Sequence, residues 1–138
     1  MLMQPGRIAA LFVIIACAVI IPVAAMAASG TVEIFYLPHP PAEAVVRDVE
    51  AVLKKHDQFK VAKYSFDDPE SKKILAKYDL REHMPVVIFI NGRNEFTLGK
   101  RKVVFKNFPK GNAFVPMFEG NWSYRDLDGV LSAVGKGK

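Results

Sequence analysis

The stretch HMPVVIFINGRN, residues 83–94, decides the fold of this chain. Its centre, Val86–Ile90, is five consecutive apolar residues, a run that is typical of a strand buried on both faces. Asn91-Gly92 follows directly and supplies the positive φ angles that a tight hairpin needs. Pro85 stands at the entrance of the strand, where its missing N–H removes no interior hydrogen bond. The stretch therefore predicts a central strand that is entered through proline and left through a hairpin.

Hydrophobic periodicity on both sides of this strand predicts alternating strands and helices. Upstream, the patterns favour a strand at 31–37, a helix at 42–56, a strand at 59–66 and a helix that starts at the acidic run 67–70. Downstream, they favour a return strand near Glu95–Leu98 and a final helix from Ser123, with Asp126 in a capping box and Gly135 as its end. This order predicts an α/β fold, a mixed sheet with helices on both faces. One domain covers 30–135, and the tail 136–138 frays.

The first 27 residues have the pattern of an export signal. Arg7 precedes an apolar run at 8–21, and Ala25-Met26-Ala27 offers the small residues that a signal peptidase requires, so we expect cleavage after Ala27. If it is left uncleaved, the apolar segment 8–28 is long enough to anchor the chain in a membrane. A lipoprotein site ending at Cys17 is a poorer match. All three interpretations predict an exported, periplasmic or membrane-anchored domain.

The position of the cysteine and the net charge argue against several classes of function. Cys17 is the only cysteine and lies in the targeting segment, so the folded part has no thiol for a disulfide, for dithiol exchange or for nucleophilic attack. Of the 19 Lys and Arg residues only Arg7 precedes residue 28, which leaves 18 against 14 Asp and Glu in the folded part. This mild excess, with no base-reading motif, argues against nucleic acid as a partner. No catalytic motif with firm spacing is present, so we expect no enzyme and no cofactor.

The element order, with these residues at the joints, resembles the thioredoxin-like fold. Residues 35–39, FYLPH, resemble the strand end before that family's redox motif, and residues 84–92, MPVVIFING, resemble its proline-led strand and hairpin. The resemblance implies a cis form for Pro85. It also puts the family's two cysteines at about Pro40 and Glu43, so the active motif is absent and the domain is redox-inactive.

The resemblance implies a binding function in place of the redox reaction. In the thioredoxin-like family the groove beside the proline holds extended peptide through backbone pairing, which needs no cysteine. The residues that would form this partner groove are His39, Pro40, Glu43, His83, Met84 and Pro85. The first hypothesis is therefore a secreted module that binds a protein or peptide.

A second hypothesis is metal handling. If the loop 38–41 and the loop before Pro85 are neighbours at one edge of the sheet, they bring together two imidazoles and a thioether that would suit copper. These ligands are His39, His83 and Met84. The alternative is that both histidines lie on the surface and Met84 fills a gap beside Pro85.

The segment 97–118 is an insertion that the resemblance does not explain. It carries five cations and no acid, namely Lys100, Arg101, Lys102, Lys106 and Lys110, with apolar residues between them. This pattern suits a surface for an acidic protein partner or for anionic lipid headgroups. The alternative is an enlarged hairpin that turns at 110–112 and packs its apolar residues on the sheet. Trp122, which follows it, is expected to anchor the last helix.

Overall fold

A computed structural model describes residues 30–81, 84–113 and 115–137. Its strands are β1 (Gly30–Tyr36), β2 (Phe59–Ser65), β3 (Val86–Ile90), β4 (Glu95–Leu98) and β5 (Arg101–Val104). Its helices are α1 (Pro40–Leu53), α2 (Lys72–Lys77) and α3 (Tyr124–Lys136), with single 3₁₀ turns at Pro69–Ser71 and Pro116–Phe118. The fold is mixed α/β, with one sheet of three strands and one of two.

The larger sheet has the strand order β2-β1-β3. β1 pairs in parallel with β2, from Gly30 opposite Phe59 to Tyr36 opposite Ser65, because α1 crosses back between the two strands. β3 pairs antiparallel with β1 on the other side. All five residues of β3 are buried, which confirms the prediction of a strand covered on both faces. Burial of each of these side chains contributes about 1.5–3 kcal/mol.

Turns with positive φ angles shape the chain after β3. Asn91 and Gly92 have φ of 50° and 77°, which confirms the predicted tight turn. The hairpin of the insertion differs from the prediction, because β4 and β5 are joined at Gly99-Lys100, with Leu98 opposite Arg101. The chain does turn at the predicted 110–112, where the Asn112 N–H donates to the Pro109 carbonyl (3.1 Å) and Gly111 has a φ of 83°, but this turn does not join β4 to its partner strand. Gly99 has a φ of 61°, a conformation that glycine adopts without steric cost.

β3 pairs with β1 along one edge, and the predicted return strand, β4, does not pair along the other edge. The neighbour there is the segment 105–107, here called the return segment, because the Ile88 N–H donates to the Phe105 carbonyl (3.0 Å) and the Asn107 N–H to the Val86 carbonyl (2.7 Å). β4 and β5 form a ribbon beyond the Asn91-Gly92 turn, and the chain then comes back along β3.

The helices cover the two faces of the sheet unequally. α1 and α3 pack on the face that carries Val32 and Ile34, where the buried side chains form the main core. α2 covers a smaller cluster around Phe35, Val87 and Phe89 on the opposite face.

The predicted helix starts are confirmed by their caps. The Asp68 carboxylate accepts the Glu70 N–H (2.9 Å) before the turn at Pro69. The Ser123 hydroxyl accepts the Asp126 N–H (3.1 Å), while the Asp126 carboxylate accepts the Ser123 N–H (2.9 Å), which is the predicted capping box. α3 ends at Lys136, one residue after the predicted Gly135. Such a cap stabilises a helix by about 1 kcal/mol.

Candidate functional site

The end of β1 and the start of β3 bring two of the predicted loops together. Tyr36 lies opposite Val86 in the antiparallel register, and the Leu37 N–H donates to the Pro85 carbonyl at 3.0 Å. The loop 38–41 therefore lies beside Met84-Pro85 at one end of the sheet, as predicted from the sequence. We call this site the proline junction; its described members are His39, Pro40, Glu43, Met84 and Pro85.

The proline junction presents a mixture of exposed and half-buried groups. His39 and Pro40 are exposed, Glu43 and Met84 are half-buried, and Pro85 is buried. His39 stands at the N-cap of α1, yet its imidazole makes no capping hydrogen bond. The cap is made by backbone alone, since the Glu43 N–H donates to the His39 carbonyl (2.9 Å). The imidazole is thus not occupied in holding the helix start.

Two expectations for this region have different outcomes. The described residues contain no cis peptide bond, so the cis form of Pro85 is not found and that expectation is wrong. An X–Pro bond is trans unless its surroundings reverse a preference of about 0.5–1 kcal/mol. His83 lies outside the described residues, so its place in the groove stays a prediction.

The described part of the chain gives no support to a metal centre. Within it, no group of three or more His, Cys, Asp or Glu side chains is placed to hold an ion. The set His39, His83 and Met84 is untested, because it depends on His83.

Two of the five cations in the insertion already pair with acids of the chain. The Arg101 guanidinium bonds the Asp126 carboxylate at 2.5 Å and the Asn121 carbonyl at 3.0 Å, so it extends the capping box of α3. The Lys102 ammonium lies 2.7 Å from the Glu95 carboxylate across the β4–β5 ribbon. These two side chains therefore stabilise the insertion itself.

The other three cations, Lys100, Lys106 and Lys110, are exposed and have no ion pair among residues 30–81, 84–113 and 115–137. They do not form one patch. Lys100 occupies the tip of the β4–β5 ribbon, and Lys110 lines an open depression of about 450 Å³ with Arg101. Lys106 lies in the return segment opposite Val87, next to the start of β3, so it is the cation nearest in sheet register to the proline junction.

Asn121 is a structural residue that the sequence reasoning missed. Its side-chain oxygen accepts the Val104 N–H (2.9 Å) and its amide donates to the Lys102 carbonyl (3.0 Å). The side chain thus takes the place of a neighbouring strand along the outer edge of β5. No local pattern marks this role, because it depends on hydrogen bonds to Val104 and Lys102, which precede Asn121 by 17 and 19 positions in the chain.

The pKa of the Asp126 carboxyl reflects its bond to Arg101 of the insertion. Burial alone would raise the pKa of this carboxyl, but hydrogen bonds from Arg101 and Ser123 outweigh burial and lower it below the usual 3.8. Only 14% of the side chain is exposed, so solvent screens these bonds weakly.

A phenol–carboxylate pair on the α2 face was also missed. The Tyr78 hydroxyl donates to the Glu33 carboxylate, and the Tyr78 ring stacks on Phe89 with a centroid separation of 4.0 Å. Burial, followed by the bond to Glu33, raises the pKa of Tyr78 to about 12. The phenol therefore stays protonated at neutral pH and acts as a hydrogen-bond donor.

No helix in the described ranges is long and apolar enough to cross a bilayer. The segment 8–28, on which the anchor hypothesis depends, lies outside those ranges.

Comparisons with protein-family models, with curated proteins and with solved structures gave no match.

Proposed function

We propose that this chain is an exported, redox-inactive domain of the thioredoxin-like type that binds an extended segment of a protein partner at the proline junction. The observation that carries the proposal is the hydrogen bond from the Leu37 N–H to the Pro85 carbonyl, which joins the two loops from which the groove is built. The parallel β1–β2 pair and the antiparallel β1–β3 pair support the thioredoxin-like arrangement.

The chemistry of the proline junction suits recognition. Pro38 restricts the short connection between β1 and α1, and Pro40 and Pro41 form the start of α1, so little conformational entropy is lost when a partner binds there. Met84 offers a flexible apolar side chain that adapts to different partners. His39 adds an exposed donor and acceptor that the helix cap does not use.

Lys106 supplies charge beside the groove. It is exposed, it pairs in register with Val87, and it has no ion pair in the described part of the chain. An acidic residue on the bound segment would therefore meet a cation that no acid among the described residues neutralises. This favours an acidic partner over a basic one.

A site-specific crosslinking experiment tests the proposal. The photo-reactive residue p-benzoylphenylalanine is introduced at position 39 or 84 of the full-length chain in the exporting cell. A matched control carries it at Arg125, which is exposed on α3 and lines neither the proline junction nor the groove beside β2. We expect a discrete adduct from positions 39 and 84 that is several times more abundant than any adduct from position 125, and that Lys106→Glu weakens. Equal yields at the three positions would rule out the junction as the binding site.

A further inference from the structure

The outer edge of β2 is a second feature that could bind a partner. In the order β2-β1-β3, this strand pairs with β1 on one side and with no described strand on the other. An open edge presents unpaired N–H and C=O groups to which another strand can add. The backbone groups of this edge are on the far side of β1 from Pro85, and of the proline junction only Glu43 lies near the edge, in a depression that it lines with Glu50 and Lys63.

The hydrogen bonds at the ends of β2 show which groups are open. The Phe66 N–H donates to the Tyr36 carbonyl of β1 (2.9 Å), and strand residues alternate in direction, so Ala62 and Tyr64 also face β1. Val61 and Lys63 consequently direct their N–H and C=O groups away from it. At the ends of the strand, turns use one outward group each: the Phe59 N–H donates to the His56 carbonyl (3.2 Å), and the Ser65 carbonyl accepts the Asp68 N–H (3.2 Å). Val61 and Lys63 are therefore the two residues whose outward N–H and C=O groups are both open to an added strand.

A groove runs beside these two residues, between β2 and α1. It is open, has a volume of about 540 Å³ and is lined by Arg47, Glu50, Leu53, Lys54 and Val61. Val61 is 41% exposed, which is unusual for an apolar strand residue, and with Leu53 it gives the groove an apolar floor. An added strand would cover Val61.

The walls of the groove carry excess positive charge. Lys63 and Glu50 neutralise each other at 2.6 Å, and hydrogen bonding to Glu50 raises the pKa of the Lys63 ammonium. Arg47 and Lys54, which line the groove, are exposed and have no ion pair within the described ranges. Lys60 is also exposed and has no ion pair there, but its side chain is on the opposite face of β2, because it is one residue before Val61 in the strand. One acid, Glu43, lies in the adjoining depression next to Tyr36.

This charge decides between two possible occupants. A second copy of the chain, paired edge to edge through β2, would bring the unpaired cations Arg47, Lys54 and Lys60 of both copies to one interface, and like charges placed together across an interface oppose association. An acidic segment would instead place carboxylates against Arg47, Lys54 and Lys60. The charge therefore favours a different protein over self-association.

We propose that the open edge of β2 binds an extended acidic peptide segment by strand addition, with backbone hydrogen bonds to Val61 and Lys63. An apolar side chain of the added strand would lie over Val61, with carboxylates toward Arg47 and Lys54 on that face of the sheet and toward Lys60 on the other face. Backbone pairing supplies the affinity and the charged walls supply the specificity. The site does not depend on the function proposed for the proline junction.

The test uses a capped hexapeptide, acetyl-Glu-Glu-Val-Glu-Val-Glu-amide, titrated into ¹⁵N-labelled protein produced from the full-length gene. We expect the largest amide shifts at residues 60–64, at least threefold slower hydrogen exchange at Val61 and Lys63, and weaker binding at higher salt. A control peptide with proline in place of the first valine cannot complete the backbone pairing and should not slow exchange. A peptide with lysine in place of every glutamate should not bind.

Variants separate this edge from other surfaces. Arg47→Glu combined with Lys60→Glu should raise the Kd at least fivefold, whereas the matched control Lys72→Glu with Lys73→Glu on α2 should change it less than twofold. Val61→Pro removes one outward N–H without touching the β1 ladder, and it should abolish the exchange protection at Lys63. If that variant fails to fold, the effect of the charge-reversal pair on the peptide Kd still decides whether this edge is the binding site.

Three results would overturn the proposal. The first is no shift at millimolar peptide. The second is a shift confined to residues around Leu37 and Pro85, which would assign acidic peptide to the proline junction instead. The third is a concentration-dependent shift of β2 without peptide, which would show that a second copy occupies the edge.

Discussion

Trp122→Phe is the substitution that tests most directly how the insertion is held on the domain. Trp122 is fully buried, and its indole N–H donates to the carbonyls of Lys106 (3.1 Å) and Asn107 (3.3 Å). Its ring meets Phe105 edge to face with a centroid separation of 5.7 Å. One side chain therefore joins the return segment to the start of α3.

The expected loss of stability follows from these contacts. Phenylalanine lacks about three of the buried ring atoms, which removes roughly 2 kcal/mol of apolar burial. It also lacks the N–H, and a lost hydrogen bond costs about 1 kcal/mol net. We expect Trp122→Phe to lower the free energy of unfolding by about 3 kcal/mol, and Trp122→Ala by about 3–5 kcal/mol.

Urea unfolding followed by circular dichroism at 222 nm measures this loss, since the substitution removes the only tryptophan and with it the fluorescence signal. Met117→Ala is the control: Met117 lies in the same insertion but is 76% exposed, so it should change stability by less than about 0.5 kcal/mol. Hydrogen exchange should accelerate at the Asn107 and Lys110 amides, which bond Val86 and Trp122. A loss below about 1 kcal/mol for Trp122→Phe would refute the anchoring role.

Two further predictions concern Asp126 and the N-terminal segment. The pKa of the Asp126 carboxyl is below its unfolded value of 3.8, so it contributes stability that is complete above that value and lost as pH falls through the folded pKa. Urea midpoints measured from neutral pH to about pH 2.5 should therefore fall less steeply below about pH 4 for Asp126→Asn than for the parent, and parallel curves would contradict this account. Mass spectrometry of exported protein should give a mature chain that starts at Ala28. An intact start at Met1 would support the anchored form instead.

The parts of the fold that were predicted correctly depend on strong local signals. The uninterrupted run Val86–Ile90, the Asn91-Gly92 turn and the Ser123–Asp126 capping box each specify their structure over a few residues. These three features could be read from the sequence because neighbouring residues alone decide them. The meeting of the two loops at the proline junction is a long-range contact, and it was expected only from the resemblance to the thioredoxin-like fold.

The insertion could not be predicted in the same way. The basic and apolar residues around Gly99 do not show which strand β4 pairs with, and that partner is β5. The Arg101 side chain is placed by bonds to Asn121 and Asp126, some twenty residues later in the chain, and the Asn121 side chain is placed by bonds back to β5. The cis form of Pro85 was implied only by the resemblance, whereas the local preference of an X–Pro bond is trans, and the described structure follows the local preference.

The burial of β3 has a consequence for the chain before it folds. Val86–Ile90 has five residues of high β propensity and no charge, and such a segment aggregates readily when it is exposed in an unfolded polypeptide. Its neighbours oppose this: Pro85 cannot donate to an intermolecular ladder, and Arg93 adds charge just beyond the turn. Substituting Pro85 or Arg93 should therefore lower the yield of soluble protein even where the native structure would tolerate the change.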